Sequence, residues 1–291
     1  MLEYIIIITI LIILIPLIYT RIQYPFWSIQ PIFHTYDFFR YWTQKPFVIQ
    51  NGYPLKTKYL SDLIATGNFL DLNNDELDKV ILFIQEHYIE SDRALTMINK
   101  YDITHQLTGY SNPSFISIYK DKQIYQVQEN NQTEFEEKNT MVGVITSRAV
   151  KIYMLYSQDN FEEFVYYMDH ICTHRNMKNK YLGRSLIQNH ERYQRFNNKT
   201  ILGSLFKRES LCDGIVPLLS YDVNTFPLSE IKKPPMRKFS TQRIAGANVN
   251  ILFDFLYNVT HNIEYVPFSL CIFPETNAFD HLIQHNQIIV F

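Results

Sequence analysis

Hydrophobic and polar positions change their period several times along the chain, and each change marks an element. Residues 2–19 are apolar except for Glu3 and Thr9. At about 1.5 Å per residue such a run reaches roughly 27 Å, enough for a thin bilayer, so it predicts an N-terminal single transmembrane helix over 1–20. A buried core element is the alternative. Arg21 is the only positive flank, and by the positive-inside rule it predicts a single-pass membrane protein with its body in the cytoplasm. Tyr24 to Pro31 carries two prolines and predicts an extended arm. From Asn73 to His87, an Asn cap, acids in the first turn and Leu77, Val80, Ile81 and Ile84 on one face predict an amphipathic helix.

Alternation predicts strands over Phe115 to Tyr119, Met141 to Tyr153 and Glu163 to Thr173, with Gln126 to Asn139 as a mobile polar loop. Helical spacing returns from Gly183 to Phe196. Short strands are expected over Thr200 to Phe206 and Gly214 to Ser220, followed by a proline-rich, basic linker from Pro227 to Lys238. The tail predicts a helix near Val249 to Val259, a strand near Tyr265 to Phe273 and a helical segment from Asn277 to His285. This order points to an α+β fold, a mixed sheet flanked by helices.

Composition narrows the picture little. The 291 residues have room for a full core, and a net charge of −2 gives no reason to expect a nucleic-acid partner. Cys172, Cys212 and Cys271 are odd in number and form no C-x-x-C pair, so a disulfide framework is not expected. His281 and His285 have metal-ligand spacing on a helix but lack the glutamate of a zincin pattern, and no metal is expected. The acidic stretch from Tyr88 to Arg93 reads as a solvated turn or as a place to hold an amine.

Met168 to Gln188 changes character most sharply. An aromatic strand gives way to a basic loop holding His174, Arg175, Lys178, Asn179 and Lys180, and apolar residues then resume at helical spacing. A strand, a basic loop and a helix start can present first-turn N–H groups to a phosphorylated ligand. The same arrangement also serves as plain scaffolding.

Four stretches resemble, in order, those of the glycylpeptide N-myristoyltransferases. Tyr24-Pro-Phe-Trp-Ser-Ile-Gln-Pro-Ile32 is similar to the family's Phe-Trp-x-x-Gln-Pro-Val signature. Glu86 to Asp92 resembles Glu-Asn-Tyr-Val-Glu-Asp-Asp, and Met141 to Ser147 resembles Leu-Val-Gly-Phe-Ile-Ser-Ala. Cys172 to Ile187 matches the family's Cys-Val-His-Lys-Lys-Leu-Arg-Ser-Lys-Arg-Val-Ala-Pro-Val-Leu-Ile without a gap. The resemblance implies a fold of the acetyltransferase-like (GNAT) superfamily. It also implies a myristoyl-CoA-binding domain over 21–224 and a truncated peptide-side region over 225–291.

The activity so implied is transfer of a tetradecanoyl chain from myristoyl-CoA to an N-terminal glycine amine by direct attack, with no permanently bound cofactor. By the same resemblance, Pro25, Phe26 and Trp27 would lie along the acyl-CoA, and Ile171, Cys172 and Thr173 along the thioester and pantetheine. Asn179, Lys180, Tyr181, Leu182 and Gly183 would cradle the phosphates. The backbone N–H groups of His170 and Ile171 would hold the oxyanion, the carboxylate of Phe291 would accept the amine proton, and Tyr88, Glu90 and Asp92 would face the peptide. His170 replaces an apolar residue of the family. Expected partners are myristoyl-CoA, glycine-initiated peptides or proteins, and a membrane through residues 2–19; a monomer is expected. The alternatives are a GNAT-type transferase with another acyl chain or amine, and a catalytically silent membrane-anchored module.

Overall fold

The computed structural model describes residues 2–43, 48–88, 99–129, 132–156, 159–177, 181–207, 214–220, 243–244, 248–261 and 270–288. The chain divides into two compact units, residues 1–49 with 208–242, and residues 50–207 with 243–291.

In the first unit, α1 (Leu2–Gln23) forms over the isoleucine-rich run. Among the described residues, however, no helix is long and apolar enough to cross a membrane. This finding overturns the expected transmembrane anchor and the single-pass membrane localisation, and the orientation argument from Arg21 falls with them. The ends of α1 are polar, with Glu3 in the first turn and Arg21 in the last, and Pro16 lies inside the helix. Thr20 is buried against the turn at Gly214, which has φ +86°, so the last turns of α1 belong to the packed unit. The arm after α1 is also not extended. Phe26 is helical and Trp27–Ile29 form a 3-10 turn, because Pro25 sits where a helical turn begins and its missing N–H costs nothing. The strand expected over Gly214 to Ser220 reduces to a single antiparallel bridge between Ile215 and His34. A short helix, α2 (Phe38–Thr43), follows in the same unit.

The second unit is built on a six-stranded mixed sheet in the order β1-β2-β3-β4-β5, with β6 also paired to β3. The strands are β1 (Ile64–Asn68), β2 (Phe115–Glu129), β3 (Gln132–Tyr156), β4 (Asp159–Thr173), β5 (Ser204–Phe206) and β6 (Leu270–Pro274). The expected loop from Gln126 to Asn139 is instead the far end of the β2–β3 hairpin, paired out to Glu129 and Gln132. A polar sequence marks exposure, but a ladder needs only backbone groups.

Helices α3 (Asn74–His87) and α4 (Lys100–Leu107) cover one face of the sheet. Val80, Ile84, Ile103 and Leu107 pack there on Ile116, Ile118, Val144 and Cys172. Period-two alternation turns Ile145 and Met168 to the other face, against Leu186 of α5 (Leu182–Asn197). A parallel strand needs a crossover, and α5 supplies it between β4 and β5. Helices α6 (Val249–His261) and α7 (Thr276–Gln284) complete the unit.

The sheet-facing side of α5 is unusually polar. His190 shares hydrogen bonds with Ser117 Oγ at 2.7 Å and Ser147 Oγ at 2.9 Å, and Gln194 donates to Ser147 Oγ at 2.6 Å. Arg195 donates to the carbonyls of Gln50 and Gly52. His190 is fully buried, and burial pushes its imidazole down from 6.5 to about 3. A depressed folded value contributes stability above the unfolded pKa, and that stability is lost as pH falls toward the folded one. Stability should therefore drop by about 1.4 kcal/mol per pH unit between 6.5 and 3 from this group alone. Denaturant melts across this window should show a slope in His190→Gln that is flatter by about one proton.

Candidate functional site

The site is built where β4 ends. Val144 pairs with Cys172 and Thr146 with Asp169, so two residues of β4, His170 and Ile171, stand opposite the single residue Ile145. A two-against-one register is a β-bulge, which bends the strand and takes backbone groups out of the ladder. His170 is buried and has φ 47°, the left-handed region, which costs a residue with a Cβ about 1 kcal/mol. Two contacts hold it there. Its Nδ1 shares a 2.9 Å hydrogen bond with Thr146 Oγ1, and its backbone N–H donates to Asp169 Oδ1 at 2.9 Å. Burial lowers the pKa of His170, partly offset by the Asp169 carboxylate, so its ring is a neutral structural group. Ile171, by contrast, faces outward and is exposed.

Asp169 is the residue that sequence reasoning passed over. Its Oδ1 also accepts from the Tyr88 phenol at 3.2 Å, and its Oδ2 pairs with Arg148 Nη1 at 3.3 Å. Tyr88 is held well above the usual tyrosine range by burial first and by Asp169 second. Tyr110 is raised too, chiefly by burial, with Arg148 and Asp169 among the charges acting on it. Thus one carboxylate, one guanidinium and one neutral phenol meet at the bulge. An acid in the last third of an aromatic strand is the available signal; pairing it with Arg148 requires the β3–β4 register.

Cys172 points into the core between α3, α4 and the sheet, and burial pushes its thiol up to about 12. Thr173 pairs with Gly143 at the last rung of β4. A Cβ on Gly143 would lie 2.8 Å from Leu186 Cδ1, so glycine lets α5 close on this end of the sheet. The loop then leads to Tyr181, an exposed residue at the N-cap of α5, and to Leu182 and Gly183 in its first turn. A Cβ on Gly183 would meet nothing within 4 Å, which leaves its backbone open to approach. Helix geometry leaves the first-turn N–H groups without intrahelical partners, with the positive end of the dipole behind them.

The second unit thus brings Tyr88, His170, Ile171, Cys172, Thr173, Tyr181, Leu182 and Gly183 onto β4, its bulge, the helix that faces it and the helix after it. Pro25, Phe26 and Trp27 belong to the first unit, where Phe26 is buried and its ring meets Trp27 edge-on at 4.9 Å. Glu90, Asp92, Asn179, Lys180 and Phe291 lie outside the described residues. A cleft lined by Lys151, Tyr153, Tyr257, His261, Phe273 and Phe279 contains none of the expected site residues.

No protein-family model matches this sequence, and no curated protein matches it. The fold does have solved relatives. A crystal structure of Saccharomyces cerevisiae N-myristoyltransferase with bound myristoyl-CoA superposes with a TM-score of 0.53 at 14% identity, covering 89% of this chain and 61% of that one. A second structure of the yeast enzyme, with bound myristoyl-CoA and inhibitors, gives a TM-score of 0.54 at 15% identity, covering 89% and 60%. This chain therefore spans about three fifths of the length of the structures it matches. At such identity the likeness establishes a fold, and the fold is of the N-myristoyltransferase type, with a mixed sheet flanked by helices.

Proposed function

We propose that the protein is an acyl-CoA-dependent N-acyltransferase, and that it moves a myristoyl chain from myristoyl-CoA to the N-terminal glycine amine of a peptide or protein. The observation that carries this reading is the bulge at His170 and Ile171, placed between the half-buried carboxylate of Asp169 and the start of α5. When an amine attacks a thioester, the carbonyl oxygen gains negative charge. Backbone N–H groups released from a ladder are suited to that oxygen, each worth on the order of 3 kcal/mol of transition-state stabilisation. The first turn of α5, from Leu182 and Gly183, would receive phosphate oxygens, with Tyr181 beside them and Asn179 and Lys180 just before it in sequence. Ile171 and Thr173 would line the pantetheine, with Cys172 behind them; Pro25, Phe26 and Trp27 are assigned to the acyl-CoA on the resemblance alone.

The steps balance without any further reagent. The amine must be neutral, and an N-terminal amine has an ordinary pKa near 8. Its nitrogen adds to the thioester carbon, the excess proton passes to a carboxylate, the C–S bond breaks and the thiolate of CoA leaves. Asp169 is the carboxylate that the described residues bring to the bulge, and we assign it this role; Phe291, the acceptor by resemblance, remains the competing assignment. Tyr88 would orient Asp169 and face the incoming amine, with Glu90 and Asp92 following it in sequence. Cys172 would take no covalent part. With a thiol pKa near 12, only about one molecule in ten thousand carries a thiolate at pH 8.

Labelled myristoyl-CoA and a glycine-initiated peptide should give an amide-linked product. Asp169→Asn should lower kcat by about 10²–10⁴ while leaving acyl-CoA affinity within about twofold. A loss of this size on deleting Phe291, with Asp169→Asn near wild type, would assign the proton to the C-terminus instead. Acyl-CoA binding without turnover on any amine would leave a silent module, and a larger thermal shift with another acyl chain would change the donor.

Direct transfer makes a second prediction. Iodoacetamide at pH 8 should leave Cys172 unmodified in the folded protein and alkylate it after denaturation, as peptide mapping would show. Rapid labelling of native Cys172, or a hydroxylamine-labile acyl group on it, would replace direct transfer by an acyl-enzyme route.

A further inference from the structure

The second unit contains a cluster of imidazoles that the acyl-transfer reading does not use. His281 and His285 lie one turn apart at the C-terminal end of α7, and His105 reaches them from α4, 176 positions earlier than His281. One ring nitrogen from each lies within 4.8 Å of those of the other two. His105 Nδ1 and His281 Nε2 are 3.1 Å apart, and the rings of His105 and His285 stack at 4.1 Å. The first of these spacings is close to the roughly 3.3 Å that separates two nitrogens on one tetrahedral zinc ion with Zn–N bonds near 2.0–2.1 Å.

We propose that His105, His281 and His285 form a binding site for a borderline divalent transition ion of the zinc class. The ligands would be His105 Nδ1, His281 Nε2 and His285 Nε2. Three imidazoles suit such an ion, and a fourth position is left to solvent or to Thr108, whose Oγ1 is 2.9 Å from His281 Nε2. His285 Nδ1 lies 2.8 Å from the carbonyl of His281; a hydrogen bond there places the proton on Nδ1 and leaves Nε2 as the lone pair. Burial and the neighbouring imidazoles hold His105 and His281 below the usual histidine range, which favours the neutral ligand form. Asp102 and Asp280 add negative potential near His105 and His281.

The surrounding backbone is also fixed in place. Buried Glu275 accepts from the Ser111 N–H at 2.7 Å and from Asn112 Nδ2 at 2.8 Å, tying the start of α7 to the chain just after α4. Gly109 has φ +83°, and a Cβ there would lie 2.7 Å from His281 Cβ and Cγ, so only glycine lets this turn pass behind the ring. His285 is exposed and His105 and His281 are half-buried, so an ion can reach all three. Bound there, it would clip α4 to α7.

The test uses the full chain, stripped with chelator and titrated with ZnCl2 by calorimetry. One ion should bind per chain, raise the melting temperature and be removed by EDTA. Co2+ should give the visible spectrum of a tetrahedral site. His105→Gln and His285→Gln should each weaken binding at least about tenfold; His285 is exposed, so its variant should keep the apo melting temperature. A second imidazole pair, His87 and His174, has ring centroids 4.6 Å apart and supplies the control. No binding, affinity unchanged in both glutamine variants, or binding lost in His174→Gln instead would each overturn the proposal.

Discussion

Two residues of β4 face one residue of β3, and the site proposed for this chain depends on that mismatch. In an unbroken antiparallel ladder the β4 N–H groups that face β3 near Ile145 would be spent on that strand, and the bulge disrupts this pairing. The bulge costs a left-handed histidine, and the cost is offset by contacts specific to the place: Thr146 on the ring and Asp169 on the N–H. Side chains on both flanks keep their period-two alternation. The extra residue shifts the phase across the break, so Met168 packs toward α5 and Cys172, on the far side of the bulge, packs toward α3 and α4. The core therefore closes around the break.

The helix after the bulge needs an anchor as firm as the sheet, and α5 obtains it from polar groups. An apolar helix face could slide or rotate by one ridge with little penalty. The relay from Ser117 through His190 to Ser147 and Gln194 has one register, because a shift would leave several buried hydrogen-bonding groups unpaired at about 1–3 kcal/mol each. Arg195 adds the carbonyls of Gln50 and Gly52 at the far end of the helix. With that end fixed and Gly143 admitting Leu186, the first turn of α5 is held close to the end of β4. Positioning of the candidate phosphate cradle is thus a consequence of packing some three turns away.

Much of this was legible in the sequence because period and capping act locally. Asn73 caps α3 as expected, β4 runs to Thr173, and α5 begins within a residue of the expected position. The misses have physical reasons. The β2–β3 hairpin reads as a polar loop because composition reports solvation and not pairing. α4 went unread, although Asn99 and Asp102 form a capping box, because it is short and only Ile103 and Leu107 are buried. Without α4, His105 could not be joined to His281. The isoleucine-rich run reads as a span from composition, yet among the described residues no helix is long and apolar enough to cross a membrane. Asp169 was equally invisible, since its meaning lies in Arg148 and Tyr88, distant in sequence.

On the proposed reading, the contact between Asp169 and the His170 N–H links donor binding to proton acceptance. Oδ1 now occupies the donor that a thioester oxygen would need. A hydrogen bond to a charged group is worth about 1.5–3 kcal/mol, so an incoming carbonyl must displace an anion from the bulge, not merely fill a gap. A neutral carbonyl is the weaker acceptor and displaces the carboxylate poorly, whereas the oxyanion of the tetrahedral state competes on equal terms. The exchange therefore favours the transition state over the ground state, which is the condition for raising kcat and not just affinity. The carboxylate released from the N–H still has Tyr88 and Arg148 to hold it, and it gains a free lone pair at the moment the amine must lose a proton. A single side chain would then guard the oxyanion donor before reaction and serve as base during it.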